Sequence, residues 1–205
     1  QAFWGDRVGL HFDHTQKLGG GVLQHRYLAD EAVLKLNDAR DELGDVGPGP
    51  IREILVASAR VTEPQTLADP DGNQVTLVPA GYQGIQGLAA RLLVANPERS
   101  LAFYRDAVGM SVTAQGKLDC GRGQLWIDAG GTASSGQPLA ARGIRYLTFQ
   151  VFDCDAAFAR AIAAGALAAR EPVTLGQTAR IAFIQDPDGT WIELSQRASV
   201  TGQAL

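Results

Sequence analysis

Polar and apolar residues alternate in short runs along most of this chain, and the alternation is clearest around a turn near its end. Residues 184–196 read Ile-Gln-Asp-Pro-Asp-Gly-Thr-Trp-Ile-Glu-Leu-Ser-Gln. Within them Asp186-Pro187-Asp188-Gly189 is turn chemistry, because proline presets φ and glycine accepts a positive one, so a hairpin is predicted. Beyond the turn, Ile192 and Leu194 fall on one face of a strand while Trp191, Glu193 and Ser195 fall on the other. Taken alone, a mid-strand carboxylate beside a tryptophan and a serine reads as the solvated face of an antiparallel strand.

Repetition alters that reading. Asp69-Pro70-Asp71-Gly72 followed by Val75 and Leu77 repeats the hairpin, and Phe3-Trp4-Gly5-Asp6-Arg7-Val8-Gly9 is echoed by Phe103-Tyr104-Arg105-Asp106-Ala107-Val108-Gly109. Two signatures in the same order in both halves indicate an internal duplication. The first interval is shorter than the second by roughly the length of a helix and a turn.

In chain order, residues 1–10 read as the end of an amphipathic helix, followed by β-runs at 10–16, 22–28 and 32–37 and a charged, Gly/Pro-rich loop at 38–50. A strand at 51–57 leads to the first Asp-Pro-Asp-Gly hairpin with no helix between, and 82–87 reads as a linker. The second half is fuller. It has a strand at 88–94, a helix opened by Asn96-Pro97 and ended by Gly109, and β-runs near 111–114 and 124–128. A Gly/Ser loop at 130–136, a strand at 144–152, a helix at 155–164 capped by Asp153 or Asp155, and strands near 172–175 and 179–185 then reach the final hairpin. The strand expected before residue 1 has no counterpart, which reads as a truncated or processed chain. The predicted division is therefore an N-terminal half at 1–81, a linker at 82–87, a C-terminal domain of two units at 88–197 and a tail at 198–205.

Composition narrows the function classes. With 205 residues, 45% hydrophobic and 20% charged, the chain can bury a sizeable core. A net charge of −4 without a Lys/Arg cluster gives no nucleic-acid footprint. No apolar run approaches the roughly 20 residues of a membrane span, and no run reads as a secretory signal, so a cytoplasmic protein without membrane partners is expected. Cys120 and Cys154 lack metal-site spacing and are expected to be buried free thiols.

The segments 94–109, with Ser100, Phe103 and Tyr104, then 143–165, then 186–196 together resemble the vicinal oxygen chelate superfamily, which includes glyoxalase I, bleomycin-resistance proteins and extradiol dioxygenases. The resemblance covers 86–197 and, more weakly, 1–81. It implies an α+β fold of paired βαβββ modules forming curved mixed sheets, with a degenerate first half whose second module has lost its helix. It also implies a cup that often holds a divalent metal on His and Glu from the first and last strands of each module. Carried over residue by residue, only Glu193 matches. Ala89 and Tyr146 stand at the first-strand positions, and the three histidines, His11, His14 and His25, all lie in the other half.

Alternation then supplies a cup without that site. Leu147, Phe149 and Val151 suit the helix-packed face, which leaves Tyr146, Thr148 and Gln150 facing in. Likewise Arg91, Trp126 and Asp128 face in beside packed Leu92, Leu125 and Ile127. The second half is thus predicted to form one cup from Arg91, Trp126, Asp128, Tyr146, Thr148, Gln150, Trp191 and Glu193. In the first half Lys35 and Glu53 read as a neutralising pair, and His14 and His25 could face each other. Three functions remain open. One is a cofactor-free binding protein for a small, aromatic molecule, oriented by those side chains. Another is a lyase, isomerase or dioxygenase using a metal held by Asp128 and Glu193, or metal-free acid/base chemistry with Glu193 as base and Tyr146 as acid. The last is a scaffold or homodimer whose cup is vestigial.

Overall fold

The computed structural model describes residues 1–133 and 137–202, so the Gly/Ser loop and the tail expected at 198–205 lie in part outside the described residues. The first unit follows a wide helical turn, Phe3–Val8, with β1 (His11–Gly19), β2 (Val22–Ala29) and β3 (Ala32–Ala39). The second holds β4 (Ile51–Ala57), β5 (Gln65–Ala68) and β6 (Gln74–Val78). The third has β7 (Leu88–Val94), the helix Pro97–Phe103 with its continuation Tyr104–Val108, then β8 (Ser111–Val112), β9 (Leu118–Cys120) and β10 (Gly123–Ala129). The fourth has β11 (Tyr146–Gln150), the helix Cys154–Ala163, β12 (Leu167–Leu175), β13 (Ala179–Gln185) and β14 (Trp191–Arg197). The third and fourth are full βαβββ units. The second has lost not only its helix, as its sequence suggests, but also the strand that would follow.

Sheet pairing divides the chain differently from the expected halves. The third unit does not share a sheet with the fourth. β4 pairs antiparallel with β7, so the second and third units fuse into one seven-stranded sheet, β5-β6-β4-β7-β10-β9-β8, that runs across the 82–87 linker. The first unit, β1-β2-β3, and the fourth, β11-β14-β13-β12, form separate sheets whose side chains meet one another. Alternation fixes which face a residue takes, but it carries no information on which unit is its neighbour.

Face assignments follow the pattern. Leu92, Val94, Leu125, Phe149, Ile184, Ile192 and Leu194 are buried against Phe103, Tyr104, Ala157 and Ala161 of the two helices. Each fully buried aliphatic side chain there stabilises by about 1.5–3 kcal/mol. Asn96 caps the first of these helices by accepting from the Arg99 amide at 3.0 Å, and Asp153 caps the second by accepting from the Ala156 amide at 2.9 Å.

The two Asp-Pro-Asp-Gly turns show what the missing helix does. At the second copy, Asp186 accepts from the Asp188 and Thr190 amides at 2.9 and 2.7 Å, and from the Tyr104 hydroxyl at 2.8 Å. Asp188 accepts from the Ala95 amide and the Ser100 hydroxyl, both at 2.9 Å, which clasps the hairpin to the helix. At the first copy, Asp69 accepts from the Asp71 and Asn73 amides at 2.9 and 2.8 Å, so the turn itself is the same. Among the described residues no helix overlies it, and Asp71 is exposed.

Two other expectations change. Cys154 is buried, but Cys120 is exposed. His14 and His25 stand on opposite faces, because neighbouring positions of a strand point apart: Thr15, not His14, is the partner of His25. His25 is buried and hydrogen-bonds the Thr15 hydroxyl at 2.8 Å, whereas His14 bonds exposed Asp13 at 2.9 Å.

Candidate functional site

The residues expected in one cup occupy two. Arg91, Trp126 and Asp128 belong to a cup between the second and third units. Tyr146, Thr148, Gln150, Trp191 and Glu193 line a cup between the first and fourth. The expected single constellation is therefore corrected, and the reason is the β4–β7 pairing. The same pairing breaks the expected Lys35–Glu53 pair: Glu53 meets Arg91, and Lys35 meets Glu193.

In the first of these, here the Glu53 cup, β4 and β7 place Glu53 directly opposite Arg91. Arg91 Nε donates to Glu53 at 2.7 Å and its Nη1 donates to Asp128 at 2.8 Å. Gln74 donates to Glu53 at 2.9 Å, and the Thr76 hydroxyl donates to the same oxygen. The Arg91 guanidinium lies 4.9 Å from the centre of the Trp126 ring, and the Lys117 ammonium stands against that ring too. Beneath them Ile85, from the linker, is fully buried among Leu55, Val78, Ala89 and Trp126. This cup has two cations, Arg91 and Lys117, two carboxylates, Glu53 and Asp128, and an apolar plug. A surface cavity of about 790 Å³ opens beside it, lined by Gln83, Gln86, Gln115, Asp119, Arg122 and Gln124 among others.

The second is the Glu193 cup. Parallel pairing of β11 with β14 sets Tyr146 beside Trp191, Thr148 beside Glu193 and Gln150 beside Ser195, all on the inner face. From the other unit, the turn at Asp30 and Glu31 fixes the β2–β3 register so that Arg26 lies opposite Lys35 and Gln24 opposite Asn37. Lys35 Nζ donates to Glu193 and to Thr148, both at 2.8 Å, and the Thr148 hydroxyl donates to Glu193 at 2.8 Å. Lys35 and Glu193 side chains are each 13% exposed, so the pair is largely sheltered from water. Burial pulls the Lys35 amine below the usual lysine range, while Glu193 opposes that shift.

Tyr146 is held by the facing unit. Gln24 and Asn37 both donate to its hydroxyl oxygen at 3.3 Å, and burial raises its pKa, which keeps it protonated. Phe183 lies edge-on between Tyr146 and Trp191, with ring centres 6.2 and 6.4 Å away. The Trp191 indole donates to the Gln137 carbonyl at 2.8 Å. Gln150 sits at the exposed end of β11. Glu193 and Tyr146 thus do share a face.

Sequence reasoning missed Arg26, Gln24, Asn37 and Arg197. Two signals could have found them. The inward set Trp191, Glu193, Ser195 continues by alternation to Arg197, and the short turn after Ala29 puts Arg26 opposite Lys35.

Two full βαβββ units and two shorter ones, curled so that polar side chains converge from facing strands, define a class of α+β proteins built around paired cups. The sequence pattern of the Glyoxalase/Bleomycin resistance protein/Dioxygenase superfamily matches residues 86–194, more than half of the chain, and the chain belongs to that superfamily. Among solved structures it is similar to glyoxalase I from Zea mays, with a TM-score of 0.77, 17% identity, and coverage of 98% of this chain and 88% of that one. The V278E mutant of the same enzyme gives a TM-score of 0.76 at 16% identity, with the same coverage. These likenesses establish the fold. No curated protein matches the sequence. Among the described residues, no helix is long and apolar enough to cross a membrane.

Proposed function

We propose that the chain binds a small organic molecule in the Glu193 cup and does so without a histidine-held metal. One observation carries this reading: Lys35, Thr148, Glu193 and Tyr146 converge from two units beside the rings of Phe183 and Trp191. Polar groups converging beside aromatic walls fix and orient a ligand, whereas a purely structural ion pair needs no such wall. The Glu53 cup, plugged by Ile85 and balanced in charge, suits a structural role better.

The residues present do not fit the divalent metal of the superfamily. Glu193 Oε2 already accepts from an ammonium and a hydroxyl, and Glu53 accepts from a guanidinium, an amide and a hydroxyl. Among the described residues, no three His, Cys, Asp or Glu side chains stand together as a metal would require.

A second reading, metal-free acid/base catalysis, is favoured by the protonated Tyr146 hydroxyl and the Glu193 carboxylate sharing one cup. Titrating chelator-treated protein with aromatic compounds, followed by Trp fluorescence, tests the binding proposal. Saturable binding that Glu193→Gln weakens supports it, and binding that appears only on addition of a divalent cation contradicts it. Turnover of a bound compound, lost in Tyr146→Phe, would select the catalytic reading.

A further inference from the structure

The Glu193 cup presents hydrogens to a ligand in many places and lone pairs in few. The chain of reasoning begins at Arg26, whose guanidinium can only donate. Its Nη1 donates to Gln24 Oε1 at 3.0 Å, which turns the Gln24 amide nitrogen toward Asn37 Oδ1, 3.0 Å away, and toward Tyr146. With its oxygen so engaged, Asn37 also offers its nitrogen to Tyr146. The tyrosine oxygen therefore accepts twice, and its own hydrogen is left for the cup. Lys35 spends two hydrogens on Glu193 and Thr148 and keeps a third.

Charge points the same way. Arg26 faces in from β2, and Arg197, on the same face of β14 as Glu193, faces in from the other side. Among the described residues neither guanidinium has a carboxylate within ion-pair distance. Burial lowers the pKa of Arg26, and the nearby Arg197 lowers it further. Asp13 acts on Arg26 from the exposed rim, where it bonds His14. Among the described residues three cations, Arg26, Lys35 and Arg197, face one inner carboxylate, Glu193, and Asp13 at the rim acts on Arg26 ahead of it, which leaves an excess of one positive charge. The Glu53 cup has no such excess.

Resting on the binding reading above, we propose that the ligand of the Glu193 cup is an aromatic oxyanion, its charged end held between Arg26 and Arg197 and its ring lying toward Tyr146 and Trp191. A phosphate monoester, which has more terminal oxygens than a carboxylate, matches the two guanidiniums better. Paired guanidiniums suit such a group because each can donate two hydrogens to it in a fixed plane.

Phenyl phosphate, benzoate and benzyl alcohol, titrated separately into the folded full chain, test this. Arginine Nε–H and tryptophan indole resonances give the readout. Phenyl phosphate is expected to bind most tightly and benzyl alcohol least, with shifts at Arg26 and Arg197 and a loss of affinity as salt rises. Arg26→Gln and Arg197→Gln, checked as folded by their amide spectra, should each weaken phenyl phosphate by about tenfold or more, and Arg26→Lys should recover part of the loss. The inference is overturned if benzyl alcohol binds as well as phenyl phosphate, or if both Gln variants bind phenyl phosphate like the parent. In either case binding of benzyl alcohol at Trp191 would leave the small-molecule reading standing. If none of the three compounds perturbs the cup, both are overturned.

Discussion

The two cups of this molecule are both built from curled strands of facing units, yet they settle their charges in opposite ways. In the Glu53 cup, Arg91 is shared between Glu53 and Asp128, Lys117 lies on Trp126, and a linker isoleucine fills the floor. In the Glu193 cup, Glu193 is taken by Lys35, two arginines have no carboxylate at ion-pair distance among the described residues, and the rings form a wall rather than a plug. A buried charge is tolerated when it is paired, so the first arrangement is a stable end in itself. The second leaves Arg26 and Arg197 without a carboxylate at ion-pair distance among the described residues. The contrast is what assigns the first cup to the fold and, under the proposed function, the second to a ligand.

The comparison can be broken or sharpened by substitution. The largest effect is expected from Arg91→Ala, which strands Glu53, a side chain only 8% exposed. It should lower stability by about 3 kcal/mol in chemical denaturation, while ligand binding by the folded fraction stays unchanged. Ile85→Ala, at a fully buried position, should cost about 2–4 kcal/mol and create no binding in the Glu53 cup; a new aromatic site there would blur the distinction. In the Glu193 cup, Glu193→Gln leaves the sheltered Lys35 ammonium without its carboxylate. A loss of about 1–3 kcal/mol is expected, partly restored in the double variant with Lys35→Met. A double-mutant cycle measures that coupling, and additive losses would mean the pair is not an energetic unit.

The smallest effect concerns pH. Lys35 has its amine pulled down by burial, so the folded chain releases this proton at a lower pH than the unfolded chain does. In the window between that lowered value and the ordinary lysine pKa of about 10.4, the unfolded state binds more protons, and stability should rise with pH. Denaturation of the parent and of Lys35→Met at successive pH values should show the parent gaining on the variant across that window. Equal slopes would show that Lys35 is not perturbed.

Much of the fold was legible because alternation and turn chemistry are local. The strands at 51–57, 88–94 and 179–185 begin and end where the sequence places them, the first helix is capped by the Asn96 that opens it, and of the two candidates Asp153 and Asp155 the former caps the second. The short strand Leu118–Cys120 is not legible in the sequence, since three residues give too little alternation to read. The candidate site was legible only by face. Glu193, Tyr146, Thr148 and Trp191 do share an inner surface, but Arg91, Trp126 and Asp128 belong to another, because sheet-edge pairing between β4 and β7 is a long-range event that no local pattern encodes. Lys35 meets Glu193 rather than Glu53 for the same reason. Charge complementarity named the right kinds of partner, and topology decided which carboxylate each cation met.

The most direct test of the account is a crystal of chelator-treated protein soaked with neutral and anionic aromatic fragments. The account expects fragment density between Tyr146 and Trp191 with Lys35 and Glu193 beside it, and none among Ile85, Trp126 and Arg91. Fragments seated only in the Glu53 cup, or in the Glu193 cup only after a divalent cation is added, would contradict it.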